Sequence, residues 1–231
     1  MPSASSSPTQ PVRALRVWDL PTRLFHWGLA GCVIALVVTA KTGAMDWHFR
    51  LGYAAMALLL FRILWGFVGG HWSRFTSFLY SPATLLRYLR GQATPAHELG
   101  HSPLGALSVL ALLLILSLQV LSGMASDDAI TFTGPLASVL PGSWSSAATD
   151  WHKGPGQWVV IGLLVLHLLA VLVYVFVRRK RLVRPMLSGD KHIHHALDLP
   201  PSRDNAATRV LALVLFGISS GMAAWVATFQ G

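Results

Sequence analysis

The sequence predicts an all-α integral membrane protein with five bilayer-crossing helices. Only 12% of its 231 residues are charged, about half the share of a water-soluble domain, while 53% are hydrophobic. Mean hydropathy is +0.54. The apolar residues also fall in runs of about 18 or more, enough at 1.5 Å per helical residue to cross a hydrocarbon layer of about 30 Å.

Residues 1–16, rich in Ser and Pro, are expected to be a disordered cytoplasmic tail, too polar to bury a core. The first span is Leu24–Ala40, with Asp19 as helix cap and Pro21 in the first turn. Asp19 and the arginines before it argue against a cleaved signal peptide. Leu51–Val68 follows, interrupted only by Arg62, and then Leu104–Leu121, opened by Ser102 and Pro103. Trp158–Val177 and Val210–Phe229 contain no charge. Residues 192–209 are read as a cytoplasmic linker and 210–231 as a C-terminal transmembrane helix.

The net charge of +9 suggests nucleic acid until its placement is considered. The amino-terminal tail, residues 69–103 and residues 178–209 carry fourteen of the eighteen Lys and Arg, whereas the alternate loops hold Lys41, Arg50 and Lys153. The positive-inside rule then puts the N-terminus in the cytoplasm of a multi-pass protein of the bacterial inner membrane, and the charge needs no nucleic acid. Asp46, Asp127, Asp128 and Asp150 leave the outer face near neutral, open to a basic soluble partner. The single Cys32 excludes an internal disulfide, a cysteine zinc cluster and covalent haem attachment.

Four of the ten histidines lie at membrane depth, where ionisable groups are costly and default to function. His26 is near the cytoplasmic end of the first span, His48 just before the second, and His152 and His167 at the start and middle of the fourth. Fifteen residues along a helix rise about 22 Å and turn about 60° beyond whole turns, so His152 and His167 face one side at two depths. His48 pairs with His152 outside and His26 with His167 inside, the arrangement that two stacked haems with axial imidazoles require. The inner pair is offset in depth, which tilt or a longer first helix must absorb. Iron held by two imidazoles keeps no open position, so electron transfer is expected rather than chemistry at the metal.

At these residues the chain resembles the bacterial di-haem cytochromes b, which share the cytochrome b561 domain with the b subunits of nickel-iron hydrogenases. The likeness runs from about Val17 to Lys191 through WDLPTRLFHW, HFRLGYAAMALLLFRILWGFVG, GHSPLGALSVL, WHKGPGQWVVIGLLVLHLLAV and LVRPMLSGDK. It implies a four-helix bundle at 17–191 that binds two b haems (iron) non-covalently, with His26, His48, His152 and His167 as ligands. It also implies electron relay between membrane quinone and an external partner: a periplasmic c-type cytochrome, or a hydrogenase-like or dehydrogenase subunit. The spacing of fifteen between His152 and His167 exceeds the fourteen expected of many relatives, and the fifth span lies outside the likeness.

Arg62 is read as the partner of a cytoplasmic-side haem propionate, with Arg23 and Arg74 as further propionate residues. His101 is read as capping its turn, and His192, His194 and His195 as a solvated loop rather than a metal tract. Gly66 with Gly70, and Gly217 with Gly221, have the spacing of close helix contacts; they admit a homodimer, with the second pair read as packing the fifth span on the bundle. Two rival functions remain at this stage: a stand-alone superoxide:quinone oxidoreductase, and a haem-free transporter or membrane anchor.

Overall fold

A computed structural model describes residues 12–194 and 199–229. Five of its helices are long and apolar enough to cross a membrane. They are α1 (Leu20–Thr42), α2 (Met45–Val68), α5 (Pro103–Ala125), the run Gly142–Val177 and α9 (Ala206–Ala227). The short helices α3 (Pro82–Leu89) and α4 (Pro95–Leu99) fill the connection between α2 and α5, and α8 (Val183–Ser188) follows the fourth span. All five expected spans are present.

The helix starts follow local chemistry. Asp19 accepts from the Thr22 N–H and Ser102 from the Gly105 N–H, each followed by proline in the first turn. Asp19 does more than cap. It is fully buried, and its carboxylate also accepts from Trp65 Nε1 (3.2 Å), the Gly70 N–H (3.1 Å) and Ser73 Oγ (2.6 Å). One side chain thus binds the start of α1 to the end of α2, and α1 reaches four residues earlier than the apolar run, which places His26 in its second turn.

The helices surround a core of Phe25, Leu29 and Val33 from α1, Leu59, Phe61 and Trp65 from α2, Leu116 from α5 and Val160 from the fourth span. Beyond that core, large apolar side chains such as Leu114, Leu168 and Phe176 face outward, as they do when hydrocarbon rather than water is the solvent. Helix α9 packs against α2, with Phe216 edge-on to Phe61 at 6.0 Å. Its buried face is Ala212, Ser219, Ala223 and Val226. Gly217 and Gly221 are exposed and a Cβ on either would meet nothing, so the expectation that this pair seats the fifth span is overturned: small residues one face away do so. Gly66 and Gly70 are filled from within the chain, by Phe75 and by Asp19.

The tail and linker expectations also need correction. Val12–Arg16 forms strand β1, paired antiparallel with β2 (Asp190–His194), with Ala14 opposite His192. Residues 1–11 and His195 lie outside the described residues. The ribbon is held by a mixed cluster of Leu15, Val17, Trp18, Trp72, Leu99 and Ile193. Arg16 pairs with Asp190 at 2.9 Å and Asp204 at 3.1 Å, and the buried Ser202 donates to the Val17 carbonyl. A polar segment becomes ordered here because a distant partner supplies the backbone hydrogen bonds that it cannot make alone.

The fourth span is two helices, α6 (Gly142–Lys153) and α7 (Pro155–Leu172), continued by a π-turn at Val173–Val177. Gly154, at ψ −116°, breaks the helix between them. A Cβ there would lie 2.4 Å from the Asp150 carbonyl, so the break requires glycine. His152 and His167 therefore sit on separate segments, and the arithmetic of one unbroken helix does not apply to them.

Candidate functional site: the histidine pairs

His48 lies in the first turn of α2 and His152 in the last turn of α6. Their rings face each other with centroids 6.2 Å apart and planes at 76°. Each Nδ1 is within hydrogen-bond distance of a backbone carbonyl: Leu36 on α1 for His48 (3.0 Å) and Gln119 on α5 for His152 (2.8 Å). An Nδ1–H donating to a carbonyl leaves Nε2 as the free lone pair, the state in which imidazole binds a metal. Four helices thus orient two rings.

Two residues that sequence reasoning passed over build the seat of His152. Gly123 on α5 lies against the ring: a Cβ there would be 2.7 Å from His152 Cε1. Gln119 donates from its side-chain amide to the His152 carbonyl at 2.9 Å. Gln119 is the one amide in an otherwise apolar span, and that solitary polarity was its signal. Gly123 carried none. A cavity of about 440 Å³ adjoins both imidazoles, lined by apolar side chains such as Leu29, Val33, Leu59 and Leu116 and also by Lys41 and Lys153.

His26 and His167 are brought within electrostatic range of each other, but no ring contact joins them among the described residues; His26 has Trp27 edge-on at 4.9 Å instead. The Nδ1 of His26 is buried without a hydrogen-bond partner. Arg62 is 3% exposed, and its guanidinium lies over Phe25, Phe75 and Phe78 at 6.0, 5.3 and 6.0 Å. One of its terminal nitrogens is buried and unsatisfied, as are the Nε atoms of Arg23 and Arg74. Arg23 also donates to the Leu187 carbonyl, and Arg74 approaches His71 at 3.5 Å.

His101 does not cap its turn, since Ser102 does. It packs between Trp18 (4.7 Å) and Phe78 (4.5 Å), and its Nδ1 has no partner. Burial, helped by the charges of Arg62 and Lys191, pushes its pKa down to about 3, so it is neutral at physiological pH. His192 is exposed, on a strand rather than in the expected loop. At the opposite end, Asp128 accepts from three backbone N–H groups and from Lys153 (3.0 Å), which hold its carboxyl far below the usual range. Asp127 likewise accepts from the Ala129 N–H and Thr133 Oγ1. These two carboxylates build their own loop instead of standing free for a partner.

The family model for prokaryotic cytochrome b561 matches residues 17–189. The chain belongs to that family. Similar curated proteins include the probable Ni/Fe-hydrogenase B-type cytochrome subunit of Cupriavidus necator, 25% identical over 77% of this chain and 87% of its own. The Bradyrhizobium diazoefficiens counterpart is 24% identical over 76% and 85%, and the probable Ni/Fe-hydrogenase 1 B-type cytochrome subunit of Escherichia coli K12 is 22% identical over 65% and 79%. No solved structure matches the chain with comparable significance. Family membership makes this a multi-pass bacterial membrane cytochrome that transfers electrons through b haem.

The cytochrome's residues fit that cofactor. With metal–nitrogen bonds of about 2 Å, an iron between two imidazoles holds ring centres about 6 Å apart, the separation of His48 and His152. The nitrogens of Arg62, Arg23 and Arg74 that have no hydrogen-bond partner among the described residues suit the carboxylates of such a cofactor.

Proposed function

We propose that the protein carries electrons across the bacterial inner membrane through two b haems, one held by His48 and His152 and one by His26 and His167. The single observation that carries this reading is the facing of His48 and His152, with both Nδ1 atoms turned to backbone carbonyls. A b haem with two imidazole ligands supplies one-electron storage with no open coordination position. The chain does the rest. Leu36 and Gln119 hold the outer rings in their ligating tautomer, Gly123 gives His152 room, and Arg62, with Arg23 and Arg74, neutralises propionates at the basic end. Burial of Arg62 makes that pairing strong, because water is not there to compete.

The relatives' names point to a hydrogenase-type subunit as the external partner, in place of or alongside a periplasmic c-type cytochrome. A quinone, a carrier dissolved in lipid, is the partner inside the membrane. The fourteen cations gathered at one end support a cytoplasmic N-terminus. Purified full-length protein from haem-supplied cells should show a b-type reduced-minus-oxidised spectrum and two haems per chain. It should also be reduced by a soluble quinol. Colourless protein, or a single haem, sinks the two-haem reading; two haems that no quinol reduces sink the quinone step alone.

A further inference from the structure

At the basic end of the fourth span the chain does something that topology does not require. The apolar run ends at Phe176 and Val177, both exposed, and four cations follow, Arg178 to Arg181. A helix continuing through them would spread these cations around its circumference. Instead Arg178 N–H returns to the Val173 carbonyl and Lys180 N–H to that of Tyr174, with Arg179 between them in the left-handed region at φ 50°. A non-glycine residue adopts that conformation only where its surroundings hold it. The turn gathers Arg179, Lys180, Arg181 and Arg184 around one hollow of about 560 Å³, whose other walls include Val175 and Phe176.

Arg179, Arg181 and Arg184 are exposed and have no carboxylate partner among the described residues. The positive-inside rule accounts for the number of cations at this end but not for their convergence on a cavity. Cations on one wall and membrane-level apolar side chains on the other match a ligand that is anionic at its head and hydrocarbon below. Guanidinium groups bind phosphate oxygens through paired N–H donors, and basic pockets at this depth suit acidic lipid headgroups. We propose that this hollow binds the phosphate of an anionic phospholipid, with Arg179, Arg181 and Arg184 as its contacts and Phe176 against the acyl chain.

The test uses the full-length protein in vesicles of mixed phosphatidylglycerol and phosphatidylcholine, extracted gently and weighed with its retained lipid by native mass spectrometry. Wild type should retain phosphatidylglycerol in excess of its share in the vesicle. The variant Arg179→Gln/Arg181→Gln/Arg184→Gln should lose that enrichment, roughly fivefold for each cation removed, while its haem absorbance stays unchanged. The control Arg87→Gln/Arg90→Gln, on exposed cations of the same end, should keep it. Equal enrichment in the triple variant, or an equal loss in the control, overturns the proposal. So does complete displacement of the lipid by millimolar inorganic phosphate, which would mark a site for a soluble anion.

Discussion

The imidazoles of His48 and His152 stand 6.2 Å apart, each with its Nδ1 turned to a carbonyl of a third or fourth helix. If both rings hold one iron, His152→Ala should lower the haem content from two per chain to about one, read by pyridine haemochrome against protein mass. His192→Ala, on the exposed edge of β2, should leave it at two. An unchanged spectrum in His152→Ala rejects the pairing.

Gly123→Ala tests the seat rather than the ligand. The added methyl would sit 2.7 Å from the His152 ring, which must turn or withdraw at a cost of about 1–3 kcal/mol. Outer-haem affinity should fall by about 10- to 100-fold, as for other groups that orient a metal ligand. Haem release to apomyoglobin measures it, and Gly142→Ala, in open space at the start of α6, should show no change.

Arg62→Gln removes a buried cation from the basic end. Loss of positive charge beside a haem favours its oxidised form, so the midpoint potential of one haem should fall by on the order of 60 mV, a tenfold change for one electron. The other haem should be unmoved. A redox titration that finds both potentials unchanged places Arg62 away from either propionate.

Asp19→Ala strips four donors, including the Trp65 indole and Ser73 hydroxyl, of their shared acceptor in a fully buried setting. The expected loss is about 3 kcal/mol, seen as a lower unfolding temperature in detergent. Asp19→Asn should recover part of it, because an amide oxygen still caps α1.

His101 gives the chain an acid sensitivity of known sign. Its folded pKa is about 3, below the usual 6.5, so the unfolded chain binds the proton first. Stability is complete above the unfolded value and declines as pH falls from about 6.5 toward 3, by at most about 2 kcal/mol at pH 5. Unfolding temperatures at pH 7.5 and 5 should show this decline in wild type and less of it in His101→Gln.

The spans, the basic end and the four membrane-depth histidines were legible in the chain because hydrocarbon imposes a simple rule: apolar residues for some thirty ångströms, charges outside. Arg62 was legible as an anomaly by the same rule. The pairing of Val12–Arg16 with Asp190–His194 was not, because two polar segments nearly 180 residues apart show no pattern until they are side by side. Asp19 was legible as a cap but not as the acceptor for Trp65, Gly70 and Ser73, which reach it only across the α1–α2 contact.

The sequence alone determined which five stretches are long and apolar enough to cross a bilayer, since that depends on local composition and on a solvent that cannot hydrogen-bond. Only the tertiary structure decided which backbone carbonyls orient His48 and His152, that Gly154 divides the fourth span, and that α9 turns Ser219 rather than Gly217 inward. Those outcomes depend on helix rotation and close approach, which are set by how side chains on different helices fill the same space, and no single helix contains that information.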